Sequence, residues 1–210
     1  MNIKKATRME SLRKKVASPL TFKHLYTTIY ENTESERKTM KKIETERLIL
    51  RDWDELDLDD MYTIVSNPTV NKTMGTTPVT TKDKCYELLQ YLIEKRNNYA
   101  MELKENHKVI GMIGINKDAM GHENTRNLGF SVSEEFQGKG LLSEALAAII
   151  PTAKEYAEYL SATHIENNEI SKHILLKFGF KQIGITQNIY RSADTEPHSE
   201  PYYVLQLKST

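Results

Sequence analysis

Cysteine is almost absent from this chain. The single Cys85 excludes an intrachain disulfide and points to a reducing compartment, with a helical core position and a reactive thiol as its two readings. Net charge is absent as well: 29 Lys and Arg balance 29 Asp and Glu, so the whole chain is neither a polycation nor a polyanion. No apolar run approaches the roughly 18 to 20 residues of a membrane span, and no membrane partner is expected. The six histidines, His107 and His122 among them, show no metal-ligand spacing, so no metal is expected. What remains is an ordinary globular composition, 39% hydrophobic and 28% charged, in 210 residues with no internal repeat and no second domain.

The neutral total conceals an uneven spread. Residues 1–40 hold nine Lys and Arg against four Asp and Glu, leaving 20 against 25 for residues 41–210. The basic segment lacks the apolar core of a secretory signal, while Met9, Leu12 and Val16 fall at helical spacing. Its readings are a loosely ordered or surface-helical extension and an organelle-targeting or nucleic-acid-touching arm. A third is upstream translation of a chain whose start is Met40, since Glu36-Arg37-Lys38 can be written in purine-rich codons resembling a ribosome-binding site.

From Met40 onward the pattern is regular. Glu46–Asp52 alternates as a first strand; Leu58, Met61 and Val65 step by three and four as a helix, which Asn67-Pro68 stops. Thr80 and Asp83 resemble a capping arrangement ahead of a second helix carrying Cys85, Leu88, Leu89, Leu92 and Ile93. Tyr99–Lys104 and Lys108–Asn116 form a hairpin, and Asn127–Ser133 adds a strand. A helix with Leu142, Leu146, Ile149, Ala153, Tyr156 and Leu160 on one face follows, kinked by Pro151. Leu160–Ile165 is a short strand, and Asn168 caps a helix that Gly179 ends. Lys181–Tyr190 and Tyr202–Leu207 close the chain around a polar loop over Ser192–Pro201. This order predicts a single α/β (α+β) domain over residues 41–210, with a mixed, mostly antiparallel sheet of about six to seven strands and helices on both faces.

The chemistry concentrates in Phe130–Leu146. An extended segment (Phe130, Ser131, Val132) passes through Gln137, Gly138, Lys139 and Gly140 into a helix beginning near Leu141, Leu142 and Ser143. Successive amides at such a helix start carry no intrahelical partner and face the positive end of the dipole, so they suit phosphate. Lys139 reads either as an added charge or as a solvated surface lysine. Glu134 and Glu135 would repel phosphate and read as solvated surface residues.

Gln137-Gly138-Lys139-Gly140-Leu141-Leu142 resembles the Q/R-x-x-G-x-G/A acyl-CoA signature of the GCN5-related N-acetyltransferases. Thr45–Arg51 resembles the opening strand of the RimJ/RimL branch, Val109-Ile110-Gly111 with Gly114 its third strand, and Asn168-x-x-Ser171 through Leu175, Lys177, Gly179 and Phe180 its N-x-x-S helix. The match spans about residues 43–207. Leu142 departs from the signature's Gly or Ala; its side chain either turns into the core or loosens the phosphate approach.

The resemblance implies acetyl-CoA as co-substrate, with pyrophosphate on the Gln137–Ser143 turn and the pantetheine arm on the backbone of Phe130, Ser131 and Val132. Many relatives use a tyrosine seven residues after the Asn as proton donor to the leaving thiolate; here Leu175 stands there, which moves the role to Ser171. The alternative for Ser171 is a structural first-turn serine. Asn168 either contacts the CoA arm or is a plain N-cap. For the base, Glu102 and His164 are the candidates beside a water relay, and both also read as ordinary strand residues. The function implied is N-acetylation of a primary amine, foremost a ribosomal-protein-like N-terminal α-amine, in a cytoplasmic monomer or homodimer with no nucleic-acid partner. The alternatives are a polyamine or antibiotic acetyltransferase and an inactive CoA-binding regulator.

Overall fold

The computed structural model describes residues 40–208 except 119, 192 and 195; the expected basic extension, up to residue 39, lies outside the described residues. Eight strands form one sheet: β1 (Ile43–Glu44), β2 (Leu48–Arg51), β3 (Asn98–Leu103), β4 (Val109–Lys117), β5 (Thr125–Val132), β6 (Tyr159–Thr163), β7 (Lys181–Ile189) and β8 (His198–Gln206). Their spatial order is β1-β2-β3-β4-β5-β6-β8-β7. Every pair is antiparallel except β5 with β6, so the sheet is mixed as the sequence implies, with one or two more strands.

Helices cover both faces. α1 (Leu58–Ser66), α2 (Pro68–Met74) and α3 (Lys82–Lys95) precede β3; α4 (Leu141–Ile149) follows β5 and α5 (Glu169–Lys177) follows β6. One core joins Leu48, Leu50, Met101, Ile110, Ile113, Leu128 and Val132 to Leu141, Leu146, Ile149 and Leu175 from α4 and α5. The opposite core joins Ala100 and Val109 to Met61, Ile64, Cys85 and Leu89 from α1 and α3. Burial pushes the Cys85 thiol up to about 11, with Asp59 adding to the effect, so it is a core residue held protonated.

Four local expectations change. Asn67-Pro68 ends α1 but also starts α2. The Asn67 side chain accepts from the amides of Thr69 (2.8 Å) and Val70 (3.1 Å), and Pro68 takes the first helical position, where its missing N–H costs nothing. The cap of α3 is Thr81 rather than Thr80. Pro151 does more than kink: α4 ends at Ile149 and a 3₁₀ turn over Ile150–Glu155 replaces the remaining turns. The predicted polar loop is also shorter, because β8 begins at His198. Pro201 is tolerated there because pairing with β6 starts only at Tyr202.

Candidate active site

Gly138 and Gly140 adopt left-handed φ of 73° and 78°, and Gly140 is the N-cap of α4. A non-glycine residue pays for such a conformation, which is the physical reason for glycine at both positions. The first helical bond runs from the Glu144 amide to the Gly140 carbonyl at 3.0 Å, so the amides of Leu141, Leu142 and Ser143 lie ahead of it. Gly138, Lys139 and Gly140 are exposed, and a Cβ on Gly138 would meet nothing within 4 Å among the described residues. The exposed turn leads straight into these amides, and such a helix start suits a phosphate group. Gln137 braces it by donating Nε2 to the Val132 carbonyl at 3.0 Å. Leu142 is half-buried against the core, so its side chain turns inward and leaves the amide face clear.

Cations gather round this turn. Lys139 Nζ sits 5.0 Å from the centroid of the Phe136 ring, and Lys177 Nζ donates to Ser143 Oγ at 3.1 Å. Arg47, which the sequence reading leaves out of the site, donates to Glu144 Oε2 (2.7 Å) and to the Lys139 carbonyl (3.1 Å). Burial raises the Glu144 carboxyl, but hydrogen bonds from Thr45 and from the backbone and guanidinium of Arg47 outweigh it and hold the group below its usual range. A carboxylate in the first turn of α4 would repel an anion at that helix start; the Arg47 guanidinium pairs with it. Glu135 pairs with Lys108 at 2.7 Å and Glu134 accepts from Asn67 at 3.3 Å, both exposed.

Beside the turn the sheet splits. β5 pairs with β6 only from Thr125–Tyr159 to Asn127–Ser161, so Leu128–Val132 has no partner strand on that side. Ladder alternation shows which backbone groups face the gap. The Ser133 amide bonds the Ile110 carbonyl, and two residues back in the same register Ser131 stands opposite Met112, so Ser131 spends its amide and carbonyl on β4. The Ser131 carbonyl indeed lies where a Cβ on Gly111 would be. Phe130 and Val132 point their amides into the split. The expectation for this strand end is thus corrected at Ser131: its backbone is committed to the neighbouring strand.

Asn168 and Ser171 stand across the gap. The Asn168 carboxamide is engaged at both ends, accepting from the Ser171 amide (3.0 Å) and donating to the Thr73 carbonyl (3.1 Å), so it caps α5 and ties α2 to it. Ser171 is half-buried on the inward stripe of α5 that continues through Ile174, Leu175 and Phe178, on the same side of the sheet as Phe130 and Val132.

The two base candidates already hold protein partners. Glu102 is on β3, which β4 separates from β5, and it is paired to Arg51 and to His107 Nδ1 (2.7 Å). Burial raises its carboxyl while His107 and Arg51 together lower it further, the setting of a structural ion pair. His164 is buried, with Nδ1 2.8 Å from the Ile165 carbonyl and Nε2 3.3 Å from the Tyr203 hydroxyl, so both ring nitrogens have protein partners. Glu102 lies two strands from the gap, whereas His164 directly follows β6 at its edge.

The α1–α3 face near the split carries a cluster that the sequence reading missed. Arg191 bonds Glu200 (2.5 and 2.8 Å), the Met74 carbonyl (2.9 Å) and Thr163 Oγ1 (3.4 Å), while His198 lies between Asp194 (2.9 Å) and Glu200 (2.8 Å). Arg191 thereby holds the end of α2 against β6. Nothing in the local sequence of Arg191 signals its bond to the Met74 carbonyl, 117 residues away.

Residues 47–181 match the family model described as an acetyltransferase (GNAT) domain. The uncharacterized N-acetyltransferase YoaA of Bacillus subtilis (strain 168) is 23% identical over 171 residues, 78% of this chain and 96% of that protein. The [ribosomal protein uS5]-alanine N-acetyltransferase of Escherichia coli (strain K12) is 28% identical over 83 residues, 39% of this chain and 43% of that protein. Among solved structures, the microcin C7 self immunity acetyltransferase MccE in complex with acetyl-CoA and AMP superposes with a TM-score of 0.66 at 17% identity, covering 77% of this chain and 93% of that one.

Proposed function

From the chain's membership of the acetyltransferase (GNAT) family, which makes it an acetyl-CoA-dependent N-acetyltransferase, we propose that its acceptor is a protein N-terminal α-amine and that Ser171 protonates the departing thiolate. The observation that carries the donor half is the exposed Gly138–Gly140 turn at the start of α4, beside a split sheet: the helix start suits pyrophosphate and the gap suits a thioester arm. The uS5-alanine acetyltransferase relative supports the acceptor half.

In this reading the amine nitrogen attacks the thioester carbonyl, forming the N–C bond as the C–S bond breaks. The Phe130 and Val132 amides facing the split supply hydrogen bonds to the developing oxyanion. Ser171 passes a proton to the thiolate sulfur as its hydroxyl takes up, through water, the proton the amine loses, so serine ends as a hydroxyl and the products are the amide and the free thiol. An α-amine, with pKa about 7.7 to 8.0, is roughly one-tenth neutral near pH 7 and needs only modest help; a lysine amine near 10.4 is neutral to less than about 0.1% and needs more. A site in which Glu102 and His164 are already committed fits the former. We place this chemistry in the cytoplasm; among the described residues no helix is long and apolar enough to cross a membrane.

Ser171→Ala is expected to lower kcat about 100-fold while leaving the Kd for acetyl-CoA nearly unchanged, measured by free-thiol release and by calorimetry. A silent variant would remove Ser171 from the mechanism. Arg47→Ala should weaken acetyl-CoA binding about tenfold, since it removes a cation from the phosphate turn and leaves Glu144 uncompensated. Restoration by the double variant Arg47→Ala/Glu144→Gln is the check on that explanation.

A further inference from the structure

One glycine of the sheet is not required by the fold. Gly129 of β5 stands opposite Gly114 of β4, and their surroundings differ. The Asn98 carboxamide occupies the place a Cβ on Gly114 would take, so packing demands glycine there. A Cβ on Gly129 would meet no atom within 4 Å among the described residues, and its φ is outside the left-handed region. Glycine inside a strand weakens it through lost packing and added chain entropy.

The empty space lies at the split, on the face away from Ser171. Leu128 and Val132 belong to the α4–α5 core, so alternation turns Gly129 and Ser131 toward the α1–α3 face. Extending the β5–β6 register past Asn127–Ser161 brings Thr163 level with Gly129 across the gap. Asn98, packed over Gly114, borders this space on the β4 side, Thr163 ends the strand across the gap, and Ser131 follows two residues along the same face of β5. Ser131 is 7% exposed, and its Oγ has no hydrogen-bond partner among the described residues. A buried hydroxyl without a partner is uncommon in a folded protein and points to a missing one.

We infer that the niche over Gly129 seats the acceptor's first residue and that the Ser131 hydroxyl bonds its first peptide group. This rests on the N-acetyltransferase reading above and specifies its acceptor side. The walls are neutral amides and hydroxyls, which match a peptide's N–H and C=O. Polycations such as polyamines are disfavoured, because Arg191 lies against Thr163 while the carboxylates of this face, Asp118 and Glu200, are filled by their own partners. A first side chain seated there would lie over Gly129, so a larger residue at that position would collide with it.

Gly129→Val tests this cleanly, because valine suits a strand and the protein leaves room for it. Three probes are used: acetyl-CoA, a hexapeptide beginning Ser-Ala, and a bisubstrate conjugate joining that peptide's amine to CoA through an acetyl bridge. In the parent protein the conjugate should bind at least about tenfold more tightly than CoA, and Gly129→Val should erase that gain while changing the CoA Kd by less than about twofold. Ser131→Ala should erase part of the gain. A conjugate with no advantage in the parent, an advantage that survives Gly129→Val, or parallel loss of CoA binding overturns the inference. A parent protein that binds no CoA instead defeats the N-acetyltransferase reading, so the two failures are separable.

Discussion

Replacing Gly140 by valine is expected to weaken acetyl-CoA binding by at least about 100-fold, measured by isothermal titration calorimetry. Gly140 holds φ 78° as the N-cap of α4, and a β-branched residue is strained there by about 1 to 2 kcal/mol. Relief requires the backbone to rotate, and that rotation turns the Leu141 to Ser143 amides away from a common focus. Bulk compounds the effect, because a Cβ would stand 3.6 Å from Arg47 Nη2, with the γ-methyl groups projecting into the phosphate turn. The fold tolerates the change because Gly140 is exposed; thermal unfolding should show a modest loss of stability beside the large loss of affinity. A variant that binds acetyl-CoA like the parent would show that the turn is only a strand-to-helix connection.

Asp118→Ala is expected to cost about 3 to 5 kcal/mol of stability and lower Tm by about 10 °C, measured by calorimetry or denaturant unfolding. The Asp118 side chain is fully buried and gathers donors from four directions: Ser161 Oγ (2.5 Å), Tyr202 hydroxyl (2.8 Å), and the ring (2.7 Å) and amide (3.1 Å) of His122. Truncation leaves these buried donors without an acceptor, which is costlier than the net worth of the bonds themselves. A loss below about 1 kcal/mol would show that the loop carrying Asp118 and His122 re-forms without the carboxylate.

The same group sets an acid limit. Burial raises the Asp118 carboxyl, but the bonds from His122, Ser161 and Tyr202 outweigh it; at Glu200, Arg191 and His198 do likewise. Both therefore have folded pKa values below their unfolded ones. Their stabilisation is present above the unfolded values of about 3.9 and 4.3 and is lost as pH falls through the lower folded values.

How far the sequence could be read depended on the range of the interaction. The stripes of α1 and α3, the Asn168 cap, the Gly138–Gly140 turn and the inward Leu142 all follow from neighbours within a few residues, whereas the stripe read from Leu142 to Leu160 is helical only to Ile149. Asn67-Pro68 and Pro151 were visible as breaks, but what followed each break was not, since a proline forbids one continuation without choosing the next. Glu102 illustrates the limit. Its residue type and strand position suit a base, yet Arg51, 51 residues away, consumes it.

The sequence by itself determined the strand-to-helix turn, the spacing of Asn168 and Ser171 after it, and hence the family, because backbone conformation and helix periodicity are local. Tertiary structure alone decided which groups are free. It committed Ser131's backbone to β4 while leaving its hydroxyl without a partner, brought Arg47 to Glu144 and Arg191 to Met74, and opened the space over Gly129. Hydrogen-bonding capacity is saturated by whatever lies within about 3 Å, and strand order rather than chain order decides what that is.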